Sequence, residues 1–176
     1  LAVDGVIAGV RVKVQAEGNG LVAAPDQADI RLDGRLDADE GAALARELDR
    51  RPWARHIGVL PHAQMPSLLA AADVVLNCSL SEGGMPNSLL EAQALGRAVL
   101  AADIPGNRAL VEDGVTGLLF GDARALAAQA ARLLRDPALR ARLGAAGRAR
   151  VQAEFPPERE RDGYLAVYRR LAPVVV

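Results

Sequence analysis

The sequence predicts an α/β fold, an open parallel sheet with helices on both faces. Two observations predict it. Asp73-Val74-Val75-Leu76-Asn77 and Ala98-Val99-Leu100-Ala101 are continuous apolar runs rather than alternating ones, as strands buried on both faces require. Stretches of helical period stand between and beyond such runs, and strand–helix alternation is the signature of crossover-connected parallel strands.

Taken in order, Val3 to Val14 is rich in Val, Ile and Gly and has room for one strand. Ala16 to Ala28, with Gly18, Gly20 and Pro25, reads as loop. A helix is expected from Asp37 to Arg50. Leu44 and Leu48 share its face, Asp37, Asp39 and Glu40 occupy the first turn where the helix dipole favours acids, and Pro52 ends it. His56 to Leu60 predicts a strand and Gln64 to Ala72 a short helix. The strand Asp73 to Asn77 leads into a Gly-rich turn, Ser81 to Pro86, then a helix from Asn87 to Leu95 stopped by Gly96. After the strand Ala98 to Ala101, Pro105-Gly106-Asn107 opens a short helix through Val111. Asp113-Gly114 then turns into the strand Gly117 to Phe120. Leu126, Ala130, Leu133 and Leu134 share one helical face. Asp136 and Pro137 are the N-cap and first-position proline of a helix through Val151. Beyond Pro156-Pro157, Tyr164, Val167, Tyr168 and Leu171 form a last amphipathic stripe.

Composition bounds the function. The 176 residues fit one α/β domain, and 51% hydrophobic against 24% charged residues excludes a disordered chain. Aromatics are 3%, so Leu, Val and Ala fill the core. A net charge of −1 argues against a nucleic-acid or membrane-surface binder. Lys13 is the only lysine, and the lone Cys78 excludes an internal disulfide and a cysteine-built metal site. No apolar run has the length of a membrane span and no secretory pattern opens the chain, so a cytoplasmic protein is expected. The chain opens at Leu1 rather than Met and reads as a piece of something longer.

In an open parallel sheet the ligand lies beyond the C-terminal strand ends, which selects Ser79 to Glu91 as the candidate site. Gly83 and Gly84 let backbone approach a ligand and suit a turn with positive φ. The helix that begins near Pro86 or Asn87 offers amides to phosphate. Glu82 and Glu91 bracket the turn. Acids so close to a phosphate suit sugar hydroxyls better, as acids in dinucleotide folds hold a ribose. The loop therefore outlines a nucleotide-sugar site, with amides for a diphosphate, Glu91 for a ribose and Glu82 for a second sugar.

At these residues the chain resembles a family. The run from Asp73 to Asn77 through Ser81-Glu82-Gly83-Gly84-Met85-Pro86-Asn87-Ser88-Leu89-Leu90-Glu91-Ala92, then Pro105-Gly106-Asn107 and Glu112 to Phe120, is similar to the C-terminal donor-binding domain of group 1 (family 4) glycosyltransferases. The resemblance covers about Leu36 to Leu171. It implies a Rossmann-like domain, the donor-binding half of the two-domain GT-B arrangement, and retaining glycosyl transfer from a UDP- or GDP-linked sugar without a metal or other cofactor. It implies that Glu82 contacts the transferred sugar as the catalytic position. Gly83, Gly84, Met85, Pro86, Asn87 and Ser88 would line the sugar and diphosphate, and Glu91 would hold the ribose. Residues 36–176 would be the nucleotide-sugar-binding domain and residues 1–35 a poorly matched first segment of it. The acceptor-binding N-terminal domain would lie outside this chain, leaving the fragment inactive or weakly active. The gap between the two glutamates, Gly83 to Leu90, is one residue longer than is usual for the family, and the extra residue falls at Gly83-Gly84. The family also carries an Arg and a Lys after its first donor-domain strand, and Arg11 and Lys13 correspond to them.

Other readings compete. Ser88 to Glu91 has the form of a capping box, which would make Glu91 a helix cap. Glu82 could be an ordinary loop acid. Asp37-Ala38-Asp39 has the form of a metal-holding pair, but two acids at a helix start are accounted for by the dipole. His56 and His62 lack partners at metal spacing, although His62 follows a strand within reach of the site. Cys78 packs as a small apolar residue. For the whole chain the alternatives are a non-catalytic Rossmann-like module or degenerate transferase half, and a nucleotide-sugar epimerase of the same fold.

Overall fold

The two apolar runs become adjacent central strands. A computed structural model of the chain describes residues 12–15, 30–33, 46, 49–50, 54–58, 60–82 and 84–171. Strands β1 (Val12–Gln15), β2 (Ile30–Asp33), β3 (Ala54–Gly58), β4 (Val74–Asn77), β5 (Ala98–Ala102) and β6 (Leu118–Phe120) form a 6-stranded sheet. Their order is β3-β2-β1-β4-β5-β6 and every pairing is parallel. The order reverses between β1 and β4, which is the switch point where a doubly wound sheet opens a crevice.

Alternate residues of β4 and β5 feed two cores. Val74, Leu76, Ala98 and Leu100 pack with Leu126, Ala130, Leu133 and Leu134 of α4 (Ala123–Arg135) and Leu139 and Leu143 of α5 (Pro137–Glu154). Val75, Val99 and Ala101 face the other way, onto Leu69 of α1 (Met65–Ala71), Leu89 and Ala92 of α2 (Asn87–Ala94), and Leu110 and Val111. Helices on both faces explain why these strands show no polar alternation.

The helix ends follow their sequence signals. Asp122 Oδ1 accepts from Ala125 N at 2.7 Å and Asp136 Oδ1 from Leu139 N at 2.8 Å, so each aspartate caps its helix. Gly96, at φ 68°, ends α2 in a Schellman motif, with Arg97 N bonded to Ala92 O and Gly96 N to Gln93 O.

Several elements depart from expectation. β2 falls at the end of a stretch whose sequence matched neither strand nor helix. Its Ile-Arg-Leu-Asp run is short and alternating, and pairing with both β1 and β3 makes it a strand. β3 begins at Ala54 rather than His56, because its parallel register starts with Ile30 opposite Ala54. The helix expected from Pro105 to Val111 is shorter, α3 (Pro105–Arg108), and Leu110 N and Val111 N close the turn onto Asn107 O. His62–Gln64 is a 3-10 turn ahead of α1. The stripe on α6 (Pro157–Leu171) is not buried: Tyr164, Val167, Tyr168 and Leu171 are all more than half exposed. The loop expected at Ala16 to Ala28 and most of the helix expected from Asp37 to Arg50 lie outside the described residues.

Candidate functional site

β4 ends at the switch point with Asn77, and the chain then runs through Ser79–Pro86 into α2. Asn77 is almost fully buried. Its Oδ1 accepts from Ser79 N at 3.0 Å, an Asx turn that starts the loop. Its Nδ2 donates to Glu82 Oε1 at 3.0 Å. Asn107, fully buried on α3, donates through Nδ2 to Asn77 Oδ1 at 3.3 Å and to Ala102 O at 2.8 Å. Asn107 Oδ1 has no partner among the described residues, and such a buried acceptor costs about 1–3 kcal/mol.

Glu82, bonded to this pair through Asn77, is half-buried. The following loop packs on Gly106: a Cβ there would collide with the Gly84 carbonyl and stand 2.7 Å from Glu82 Cβ. Gly84 itself is not in the left-handed region, and a Cβ on it would meet nothing within 4 Å, so the positive-φ turn expected of the glycine pair does not occur at Gly84. Gly83 lies outside the described residues.

Pro86 is the N-cap of α2, and the first bonds of the helix run from Leu89 N and Leu90 N to Pro86 O. The amides of Asn87 and Ser88 precede that ladder and are the groups a helix start presents to an anion. The capping box does not form. Ser88 lies inside the helix, Pro86 has no N–H for Glu91 to accept, and Glu91 Oε1 instead meets His62 Nε2 at 3.0 Å. His62 comes from the turn after β3, so two strand ends converge on Glu91.

Lys13 occupies β1, opposite Val75, rather than the turn beyond the strand, because Val12–Gln15 pairs with both β2 and β4. Arg11, Asp37 and Asp39 lie outside the described residues, and among those described no group of three or more His, Cys, Asp or Glu is arranged to hold a metal. Cys78 packs against the core beneath α4, where burial pushes its thiol up to about 12 and leaves it protonated at neutral pH. Arg108 donates to Asp103 at 2.6 and 2.9 Å, which holds that carboxyl below its ordinary value and closes the α3 turn. An open cavity of about 710 Å³ lies where the start of α2 meets the α5–α6 junction, lined by Met85, Asn87, Leu90, Phe155, Pro156 and Arg159 among others. Met85 and Asn87 reach it but Glu82 and Glu91 do not, so it borders the centre described above rather than containing it.

Sequence reasoning selected Glu82, Glu91 and the start of α2 but missed Asn77 and Asn107. A signal for Asn77 was present: a polar residue closing an otherwise apolar strand, two residues before a serine, is an Asx-turn pattern.

The architecture is Rossmann-like, and comparison with known proteins gives the class. Residues 7–136 match the profile of the family described as glycosyl transferases group 1, and the chain belongs to that family. It is 31% identical over 133 residues to glycosyltransferase 1 domain-containing protein 1 of Xenopus tropicalis, covering 76% of this chain and 35% of that one. It is 46% identical over 139 residues to D-inositol 3-phosphate glycosyltransferase of Frankia alni, covering 76% of this chain and 33% of that one. Among solved structures, Anabaena HepE in complex with UDP and glucose superposes with a TM-score of 0.78 at 22% identity, over 90% of this chain and 48% of that one. The chain thus spans about a third of the length of these curated relatives. No helix among the described residues is long and apolar enough to cross a membrane.

Proposed function

We propose that the chain is the nucleotide-sugar-binding part of a retaining glycosyltransferase that passes a sugar from a UDP- or GDP-linked donor to an acceptor held by a further domain. One observation carries the reading: a single loop and helix at the switch point present a half-buried carboxylate, helix N-terminal amides and a second carboxylate in sequence order. Membership of the group 1 family supports it, as does the fold shared with a protein solved with UDP and glucose.

In this reading the Asn87 and Ser88 amides take the diphosphate, Glu91 accepts from ribose hydroxyls, and Glu82 accepts from a hydroxyl of the transferred sugar. As the C1–oxygen bond of the donor lengthens, positive charge grows on the sugar ring and negative charge on the diphosphate. Fixed amides already aimed at the diphosphate stabilise that charge without reorganising. Because those amides meet the phosphate charge, the reaction proceeds without a metal ion. A cytoplasmic setting goes with this reading, and the single free thiol is in keeping with it.

The test is a thermal-shift and calorimetric panel of UDP, GDP, ADP and CMP with their sugars, each with and without EDTA. One nucleotide and its sugar conjugate are expected to raise Tm, by about 2.7 kcal/mol of added stability at a hundredfold excess over Kd. EDTA should leave that shift intact. No response to any ligand would favour a non-catalytic module of the same fold, and a response abolished by EDTA would overturn the metal-independent part.

A further inference from the structure

The polar cluster beneath Glu82 does more than fill space. Each amide orientation in it is settled by a partner that can play one role only. Ser79 N–H can only donate, so the atom of Asn77 facing it at 3.0 Å is the oxygen. Ala102 C=O can only accept, so the atom of Asn107 facing it at 2.8 Å is the nitrogen. Asn107 then donates to Asn77 Oδ1, and Asn77 is left with its NH₂ toward Glu82 Oε1 at 3.0 Å. The donors run one way from Asn107 on α3 to Asn77 at the end of β4 and from Asn77 to the carboxylate, while Asn107 also donates to Ala102 O at the end of β5. Gly106 adds a steric limit, because the loop carrying Glu82 lies directly on its Cα. Glu82 Oε2 has no bond among the described residues and stays available to a ligand hydroxyl.

We infer that Asn77, latched by Asn107, is a positioning residue: its amide fixes the Glu82 carboxylate in the orientation that receives the transferred sugar. The inference rests on the role proposed above for Glu82. A purely structural asparagine would also be buried and bonded, but it would not need its last donor aimed at a half-exposed carboxylate. Asn77→Asp keeps acceptors for Ser79 N and Asn107 Nδ2 and removes the one donor that reaches Glu82, but it also sets a second carboxylate against that residue, so the charge-neutral Asn107→Ala is read beside it.

The experiment measures the affinities of UDP and UDP-glucose, and of GDP and GDP-mannose, for the 176-residue chain by calorimetry. The variants are Asn77→Asp, Glu82→Gln and the double variant. Asn77→Asp is expected to weaken the sugar nucleotide about tenfold or more, the loss of a charge-assisted hydrogen bond, and to leave the free nucleotide within about twofold. In the Glu82→Gln background the same change should cost the sugar nucleotide little further, because the two residues act as one unit. Asn107→Ala, which frees the latch without adding charge, should give a smaller loss of the same selectivity and serves if Asn77→Asp does not fold. Equal weakening of nucleotide and sugar nucleotide, or losses that add across the double variant, would overturn the inference and leave the Glu82 reading standing. A Glu82→Gln variant that binds both ligands like wild type would overturn the inference together with the role of Glu82. Failure of wild type to bind any of the four ligands would overturn both at their base.

Discussion

His62 Nε2 lies 3.0 Å from Glu91 Oε1, joining the turn after β3 to the second turn of α2 across the crevice. The contact spends one carboxylate oxygen of Glu91 on an exposed imidazole and removes the capping explanation for that glutamate.

Glu91→Gln is therefore expected to weaken nucleoside diphosphate and nucleotide-sugar alike, by about 1–3 kcal/mol for a lost charged hydrogen bond to ribose. Thermal stability should hardly change, since no helix cap is lost. His62→Ala should weaken the same ligands by about 1 kcal/mol at most, the range of an exposed side-chain contact. Calorimetric titration of both variants checks the order. A Glu91→Gln protein with lowered Tm and unchanged nucleotide affinity would mean that the residue is structural after all.

Most of the fold from Asp73 onward was legible because local and tertiary preferences agree there. Val74 to Leu76 and Ala98 to Ala101 are apolar on both faces because both faces are covered, and Asp136-Pro137 and Gly96 are strong local punctuation. β2 was not legible, since four residues of alternating polarity carry little periodicity and become a strand by pairing on both sides. At the site the carboxylates and the helix start could be read from the turn, but the Asn77–Asn107 contact joins residues far apart in sequence and no local pattern encodes it. Lys13, matched to the family's basic pair by resemblance, lies within β1, a strand made by pairing on both sides.

Gly106 is a place where only glycine fits. Gly106→Ala must push the Glu82–Gly84 loop away or distort α3, and is expected to cost about 1–3 kcal/mol as overpacking does. Nucleotide-sugar affinity should fall more than nucleoside diphosphate affinity, because the loop moves while the start of α2 does not. Chemical denaturation and paired titrations measure the two effects. An unperturbed Gly106→Ala protein would show that the loop does not pack there.

Gly84 makes the opposite case. It sits outside the left-handed region with open space where a Cβ would go, so Gly84→Ala meets neither strain nor collision. The expected result is stability unchanged or raised by about 0.4–1 kcal/mol, from the reduced freedom of the unfolded chain. A loss above that size in urea denaturation would restore the idea that the glycine pair is required as a pair.

The Asp103–Arg108 pair closes the turn that carries Gly106 and Asn107, and it predicts an acid dependence. Arg108 lowers the Asp103 carboxyl beneath its ordinary 3.8 in the folded protein. A depressed folded value contributes stability that is present above the unfolded value and lost as pH falls through the folded one. Arg108→Ala should return the Asp103 titration toward 3.8, followed by carboxyl-carbon NMR, and should flatten the pH dependence of stability below about pH 4. An Asp103 that titrates identically in both proteins would show that the pair does not persist in solution.

The α6 stripe separates amphipathic pattern from actual burial. Tyr168 is 66% exposed and Leu171 76%, whereas Leu143 of α5 is 0% exposed within the core beneath the sheet. Periodicity alone ranks the three alike, because each recurs on a helical face with apolar neighbours. The packing ranks them apart. Leu143→Ala leaves a cavity among Leu76, Leu100 and Leu133 and is expected to cost about 2–5 kcal/mol. Tyr168→Ser removes an aromatic ring that touches mostly water and should change the stability of this chain by no more than about 0.5 kcal/mol. Urea denaturation of the two variants decides the matter, since the midpoint should drop sharply for the first and hold for the second. A large loss at Tyr168 would mean that the stripe is covered in solution, and the faces of α6 would then have to be assigned afresh.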